Sequence, residues 1–216
     1  MERPKRVRVR KNKVAMRRII IVGMAGPYEK ELEPGEELWG VNKIYKRQSN
    51  LSRLYFMDDL KDFDDEFCRD VQFLDIPVYS HKKYDDIKGS VEYPLEDIKA
   101  MFEFIYFTSS IAYMIAHAIY EMPDAIHLHK ILPFPLHGDY EDQKPCLEMW
   151  SGLAIGKGIK LTRSEDSSIM KPLYWQTDLY GLTDLSHAPG IKLLFKAGFR
   201  LDIKSVAIKI PDKQGA

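Results

Sequence analysis

The stretch Ile19-Ile20-Ile21-Val22-Gly23-Met24-Ala25-Gly26-Pro27 decides the fold. Its first four residues are all β-branched and leave no polar face. A strand that is apolar on both faces belongs in the middle of a parallel sheet. Gly23 stops the run, and a glycine loop through Pro27 turns the chain away. Working outward, Leu38–Asn42 reads as a second short strand and Arg53–Met57 as a third, ending on Asp58 and Asp59. Residues 61–70 read as a helix and Val71–Val78 as holding a further strand, before an irregular Lys- and Asp-rich loop from Ser80 to Ser90. Pro94 is pre-set for a first helical turn and opens a helix over Leu95–Phe104.

The segment Tyr106–Tyr120, YFTSSIAYMIAHAIY, places Thr108-Ser109-Ser110 at the mouth of the next helix. Hydroxyls there cap free N–H groups, and such a mouth also accepts phosphate. Ala112, Ala116 and Ala118 would let this helix lie close to a sheet. Ala125–Leu128 is the next strand, followed by a proline-broken loop and a helix over 142–156 that ends at Gly156 or Gly158. Ile159-Lys160-Leu161 is a further strand, and Ser164–Met170 could begin another helix. Weaker signals mark a short helix at Leu193–Gly198 and a strand at Val206–Ile210. Strands that alternate with helices imply right-handed crossovers and a mostly parallel sheet. The expected class is α/β, with a Rossmann-like sheet flanked by helices over residues 18–175. A basic flexible arm, 1–17, precedes it, and an irregular C-terminal extension, 176–216, packs on the same domain.

A chain of 216 residues has ample length for a real core. Its 45% hydrophobic and 30% charged residues fit a soluble globular protein, and 32 basic against 32 acidic residues leave no global field to recruit nucleic acid or membrane. Charge is uneven, however: residues 1–18 hold nine Lys or Arg and one Glu, so contact with nucleic acid is expected only through this arm. The arm lacks interleaved aromatics, and a solubilising tail explains it equally well. Cys68 and Cys146 lack CxxC or metal-type spacing and read as reduced structural thiols. No apolar run has the length of a membrane span, and the basic start has no signal-peptide core, so a cytoplasmic location is expected.

Ligands of open α/β sheets bind outside the carboxyl ends of the strands. Those ends carry Gly23–Pro27, Asn42, Asp58 and Asp59, His129 and then His137, and Thr162, Ser164, Ser167 and Ser168. The glycine loop is neither a GxGxxG fingerprint nor a Walker loop. Asn42 could bond ribose or phosphate oxygens, or simply turn the chain. Asp58 and Asp59 read as a solvated turn rather than a metal site. His127 and His129 share a strand face, but no third ligand has zinc spacing, so no metal is assigned. His117 and His127 read as structural. Glu148 reads as part of a helix surface. No G-x-S-x-G elbow or Cys–His pair supports a hydrolase triad.

In order, IIIVGMAGP, LWGVNKIY, YFTSSIAYMIAHAI, IHL, and GIKL with a following serine resemble the bacterial sialyltransferase-type pattern. The layout is also similar to archaeal-type hydroxymethylpterin diphosphokinase-like domains, and its spacing is closest to small phage-encoded proteins of unknown role. The resemblance covers roughly residues 18–170. It implies a site for a nucleotide or nucleotide-sugar ligand, with no further cofactor assigned. Gly23, Ala25, Gly26 and Pro27 would form the loop and Asn42 the nucleotide-contacting amide. Thr108, Ser109 and Ser110 would meet phosphate or sugar. His137 would stand in the place of the general base. Ala25 replaces the loop Asn of that family, Tyr28 replaces its Ser, Ser110 replaces a glycine, and Lys130-Ile131-Leu132 replaces G-[IV]-D. The implied function is a nucleotide or nucleotide-sugar binder of glycosyltransferase-like descent that moves a sugar or phosphoryl group. The alternative is a non-catalytic phage-type protein that sequesters a nucleotide or a host protein.

Overall fold

The computed structural model describes residues 15–102, 105–132 and 142–171, together with the backbone of 200–202 and 207–209. The chain divides into two compact units, Met1–Ile169 and Met170–Ala216.

In the first unit β1 (Arg18–Val22) is the hydrophobic run identified in the sequence, and Ile19, Ile20, Ile21 and Val22 are each fully buried. Burial of each such side chain contributes roughly 1.5–3 kcal/mol relative to exposure. β1 pairs in parallel with β2 (Glu36–Val41) on one side and with β6 (Ala125–His129) on the other. Beyond β2 come β3 (Arg53–Tyr55), β4 (Val78–Ser80) and β5 (Ser90–Glu92), and beyond β6 comes β7 (Lys160–Arg163). The order is β5-β4-β3-β2-β1-β6-β7, and every pairing is parallel. The expected α/β architecture is therefore present.

The pleat sends alternate β1 residues to opposite cores. Ile19 and Ile21 join Trp39, Tyr55, Ile126 and Leu128 beneath α2 (Leu95–Met101), α3 (Ser110–Tyr120) and α4 (Gln143–Gly156). Ile20 and Val22 join Leu38, Leu54 and Phe56 beneath α1 (Asp65–Gln72) and the 3-10 turn Asn42–Lys46. Ser109 caps α3 by accepting from the Ala112 N–H. Ala112, Ala116 and Ala118 are fully buried, as close packing of that helix requires.

Two local expectations fail. α1 runs on to Gln72, so the 71–78 segment contributes only the start of β4 at Val78. The Asp64 side chain accepts from the Phe67 N–H and sets that helix two turns long, with Phe67 and Val71 on its buried stripe. Residues 164–170 form turns rather than a helix: the Ser164 N–H and hydroxyl, the Ser167 hydroxyl and the Ser168 N–H bond the backbone of Leu128–Ile131, and only the Ser167 N–H turns back, to the Ser164 carbonyl. The expected irregular loop runs from β4 to Ser90, where β5 begins. The second unit contains an antiparallel pair, β8 (Arg200–Asp202) and β9 (Ala207–Lys209), in the register Leu201↔Ile208. Leu193–Gly198 lies outside the described residues.

Candidate functional site

The strand order reverses between β1 and β6, because β2 lies on one side of β1 and the later strands continue on the other. At such a reversal the connections leave in opposite directions and open a crevice at the carboxyl edge, where ligands of these folds bind. Two loops meet at that edge here, Gly23–Pro27 after β1 and Lys130–Leu132 after β6.

The two loops interlock. The Gly23 N–H donates to the His129 carbonyl at 2.9 Å. A β-carbon on Gly23 would stand 2.5 Å from the Lys130 carbonyl oxygen, so the loops approach as closely as only glycine permits. His129 Nε2 lies 3.0 Å from the Pro27 carbonyl. A carbonyl only accepts, so Nε2 carries the proton in this contact. The Lys130 ammonium lies 3.3 Å from the same carbonyl and 2.6 Å from Glu29 Oε1. That ammonium holds the Glu29 carboxyl below its ordinary range. Lys130 has φ 49°, a left-handed conformation uncommon for a residue other than glycine.

Asn42 stands at the carboxyl end of β2, also in the left-handed region at φ 48°. Its Oδ1 is buried and has no hydrogen-bond partner among the described residues. The turn that Asn42 begins is tied to the glycine loop: the Tyr28 N–H donates to Gln48 Oε1 at 2.7 Å, and Arg47 reaches the Met24 carbonyl. Gly26 is buried and Ala25 exposed.

α3 precedes β6 and runs antiparallel to the strands. Its C-terminal Glu121 carbonyl accepts from Arg17 just before β1, which fixes its N-terminus at the carboxyl edge. Ser109 and Ser110 are therefore at that edge, and the N–H groups of Ser110 and Ile111 have no intrahelical acceptor. Thr108 Oγ1 is turned to the Asp142 carbonyl, at the start of α4. The tops of α3 and α4 are further joined through the Tyr106 carbonyl, which accepts from Trp150 Nε1 at 2.7 Å and from Cys146 Sγ at 3.2 Å.

No family model, curated protein or solved structure matches the chain. The reading of the crevice rests on its own chemistry.

The structure thus gathers Gly23, Ala25, Gly26, Pro27 and Asn42 on two tethered loops, and sets Thr108, Ser109 and Ser110 at the mouth of α3 on the same edge. His137 lies outside the described residues. Asp59 caps a 3-10 turn by accepting from the Lys61 N–H at 3.2 Å, and Asp58 is exposed. Glu148 pairs with Lys144 one helical turn away. His127 faces the α1 side of the sheet, with its Nδ1 2.9 Å from Thr162 Oγ1 and the Tyr28 ring close by. Burial, helped by Arg18, pushes its pKa down to about 4. Among the described residues no three His, Cys, Asp or Glu side chains cluster to hold a metal ion, and no helix is long and apolar enough to cross a membrane.

Lys130 and Glu29 were missed in the sequence. Lys130 appeared there only as a departure from a familiar motif. Nothing in a linear reading says that the strand before it will lie against β1, and that adjacency is what gives the lysine its place.

Proposed function

We propose that the chain binds a nucleotide or nucleotide-sugar at the carboxyl edge of the sheet, beside the joined Gly23–Pro27 and Lys130–Leu132 loops, as a protein of glycosyltransferase-like descent. The observation that carries this reading is the buried, unpartnered Oδ1 of Asn42 at the carboxyl edge beside the order reversal. An unsatisfied buried acceptor costs about 1–3 kcal/mol, and a ligand donor recovers that cost. Oδ1 only accepts, so its natural partner is a ribose hydroxyl or an exocyclic amine of a base rather than a phosphate oxygen. The glycine loop brings the Lys130 backbone and side chain close against it, so that part of the ligand lies beside the lysine. The negatively charged part then belongs with the remaining polar groups of the edge, the open N–H groups of α3 and the Lys130 ammonium. If a sugar or phosphoryl group is transferred, His137 is the candidate base for the acceptor hydroxyl.

The test is a thermal-melting screen of the full chain against CMP, UMP, AMP, GMP and their sugar conjugates. A native-state ligand raises Tm in proportion to its occupancy. A rise with at least one nucleotide, and a smaller rise with the matching base alone, is expected. A flat response across the panel overturns the reading.

A further inference from the structure

The backbone around Lys130 is pinned on every side. Its N–H donates to Ser164 Oγ at 2.9 Å, and the adjacent Ile131 carbonyl accepts from Ser167 Oγ at 3.0 Å and from the Ser168 N–H at 3.2 Å. The side chain is 21% exposed and passes Gly26, where a β-carbon would come within 3.0 Å of both Cδ and Nζ. Its ammonium ends at the Pro27 carbonyl and Glu29. Glu29 is the opposite case: 63% of its side chain is exposed, and its other basic neighbour among the described residues is His129, with Nε2 at 3.8 Å. The cation is anchored and its counter-ion is not. Asp166, on the loop after β7, is a second carboxylate in the field of this lysine, and it is tied to Ser164.

We propose that the Lys130 ammonium is the binding point for a phosphate or diphosphate group, and that the Glu29 carboxylate occupies it until such a group displaces it. The inference rests on reading this crevice as a nucleotide site and assigns the anionic end of the ligand. A phosphate carries more charge than a carboxylate and offers three strong acceptor oxygens to the same ammonium and to neighbouring N–H groups. An exposed carboxylate–ammonium pair is weak, so its displacement costs little. Glu29 then acts as an intramolecular competitor that lowers the affinity for phosphate and keeps weaker anions, such as carboxylates, off the lysine.

Calorimetric titration of the full chain with inorganic pyrophosphate, CMP and cytidine tests this. With Glu29→Gln the competitor is gone, and pyrophosphate is expected to bind roughly two- to fivefold tighter than to the parent, the range that the loss of an exposed pair permits. Cytidine, which has no phosphate, should bind both proteins alike. Lys130→Met should bind pyrophosphate at least about tenfold more weakly, the scale of one lost charge-assisted hydrogen bond. Lys130→Arg retains the charge and should stay close to the parent. Glu29 is exposed, so E29Q keeps the measurement available even if K130M does not fold. Equal or weaker pyrophosphate binding by E29Q overturns the proposal, as does an unchanged K130M. If CMP binds all variants alike, the crevice still takes nucleotides but Lys130 does not hold their phosphate. If pyrophosphate follows the expected pattern while no nucleotide moves Tm, the lysine site stands and the nucleotide reading falls. Absence of binding by either ligand to any variant overturns both.

Discussion

The Tyr55 hydroxyl lies 2.9 Å from His117 Nδ1 inside the core beneath α3. On the other side of the ring, Nε2 stands 3.3 Å from Glu121 Oε1. A neutral imidazole satisfies both contacts at once: Nε2–H donates to the carboxylate, and Nδ1 accepts from the tyrosine. Burial pushes the His117 pKa down to about 4 against the pull of Glu121. This arrangement is closed inside the core beneath α3, and its role is stability.

Its sign is opposite to that of a histidine in an ion pair. The unfolded chain protonates His117 below about pH 6.5, while the folded chain keeps it neutral down to about 4. The unfolded state therefore binds more protons across that window, and stability falls as pH drops through it. His127, held near 4 by its own burial, adds to the same slope. Tm should be flat from about pH 7 to 8 and fall steadily between about 6.5 and 4, with His117→Gln removing about half of the fall. Scanning calorimetry at several pH values checks this, and a Tm that holds constant from 6.5 to 4.5 would refute it.

Above this histidine, Arg17 and Arg53 face Glu37 and Glu121 in an alternating network. Arg53 Nη2 lies 3.1 Å from both Glu37 Oε2 and Glu121 Oε2, and its guanidinium stacks 4.4 Å from the centre of the Trp39 ring. Burial works to raise the Glu121 pKa, yet Arg53 and Arg17 hold it below its ordinary value. A lysine cannot bridge two carboxylates and stack on an indole in one pose. Arg53→Lys should cost about 1 kcal/mol and Arg53→Ala about 2–4 kcal/mol in urea unfolding, because the second leaves half-buried carboxylates short of a partner. An Arg53→Lys chain as stable as the parent would show that the stacking and the fork contribute nothing.

The network explains what a linear reading can and cannot reach. β1, the capped helix α3 and the glycine loop were legible because each is written locally, as an apolar run, a serine before small apolar residues, or a glycine after a strand. Asn42 was legible as a strand end, although its left-handed backbone was not. Arg17, Glu37, Arg53 and Glu121 are scattered over more than a hundred residues and share only the amino edge of a sheet whose order the sequence does not state. Lys130 and Glu29 are likewise about a hundred residues apart and meet only because β6 chose β1 as its neighbour. The 71–78 and 164–170 segments misled because their side-chain periodicity was overridden, first by the Asp64 cap and then by serines committed to β6.

The closeness of the two crevice loops yields a sharper prediction. On Gly23 an added methyl meets backbone only, the Lys130 carbonyl at 2.5 Å and Ile131 Cα at 3.2 Å, so the loops must part. On Gly26 it meets the flexible Lys130 side chain at 3.0 Å. Gly23→Ala should lose about 1–3 kcal/mol, the usual cost of overpacking, whereas Gly26→Ala should lose under about 1 kcal/mol. Gly26→Ala should nevertheless weaken pyrophosphate binding, because it displaces the ammonium. Comparable losses of Tm in the two variants would mean that the loops yield more easily than their geometry implies.

Asn42 separates stability from function most cleanly. Its φ of 48° costs about 1–2 kcal/mol for an ordinary L-residue, less for Asn, and nothing for glycine. Its buried Oδ1 adds a second cost while the crevice is empty. Asn42→Gly removes both terms, so the ligand-free variant should melt at or above the parent temperature despite the entropy that glycine adds to the unfolded chain. Asn42→Ala keeps the strained backbone without the amide and should melt lower than Asn42→Gly. Both should lose most of the nucleotide-dependent rise in Tm, because neither offers an acceptor to the ribose or base. A residue retained for folding would show the reverse, with Asn42→Gly destabilised and any nucleotide response intact. Strain that is relieved by the same substitution that abolishes binding is the signature of a site held ready for a ligand.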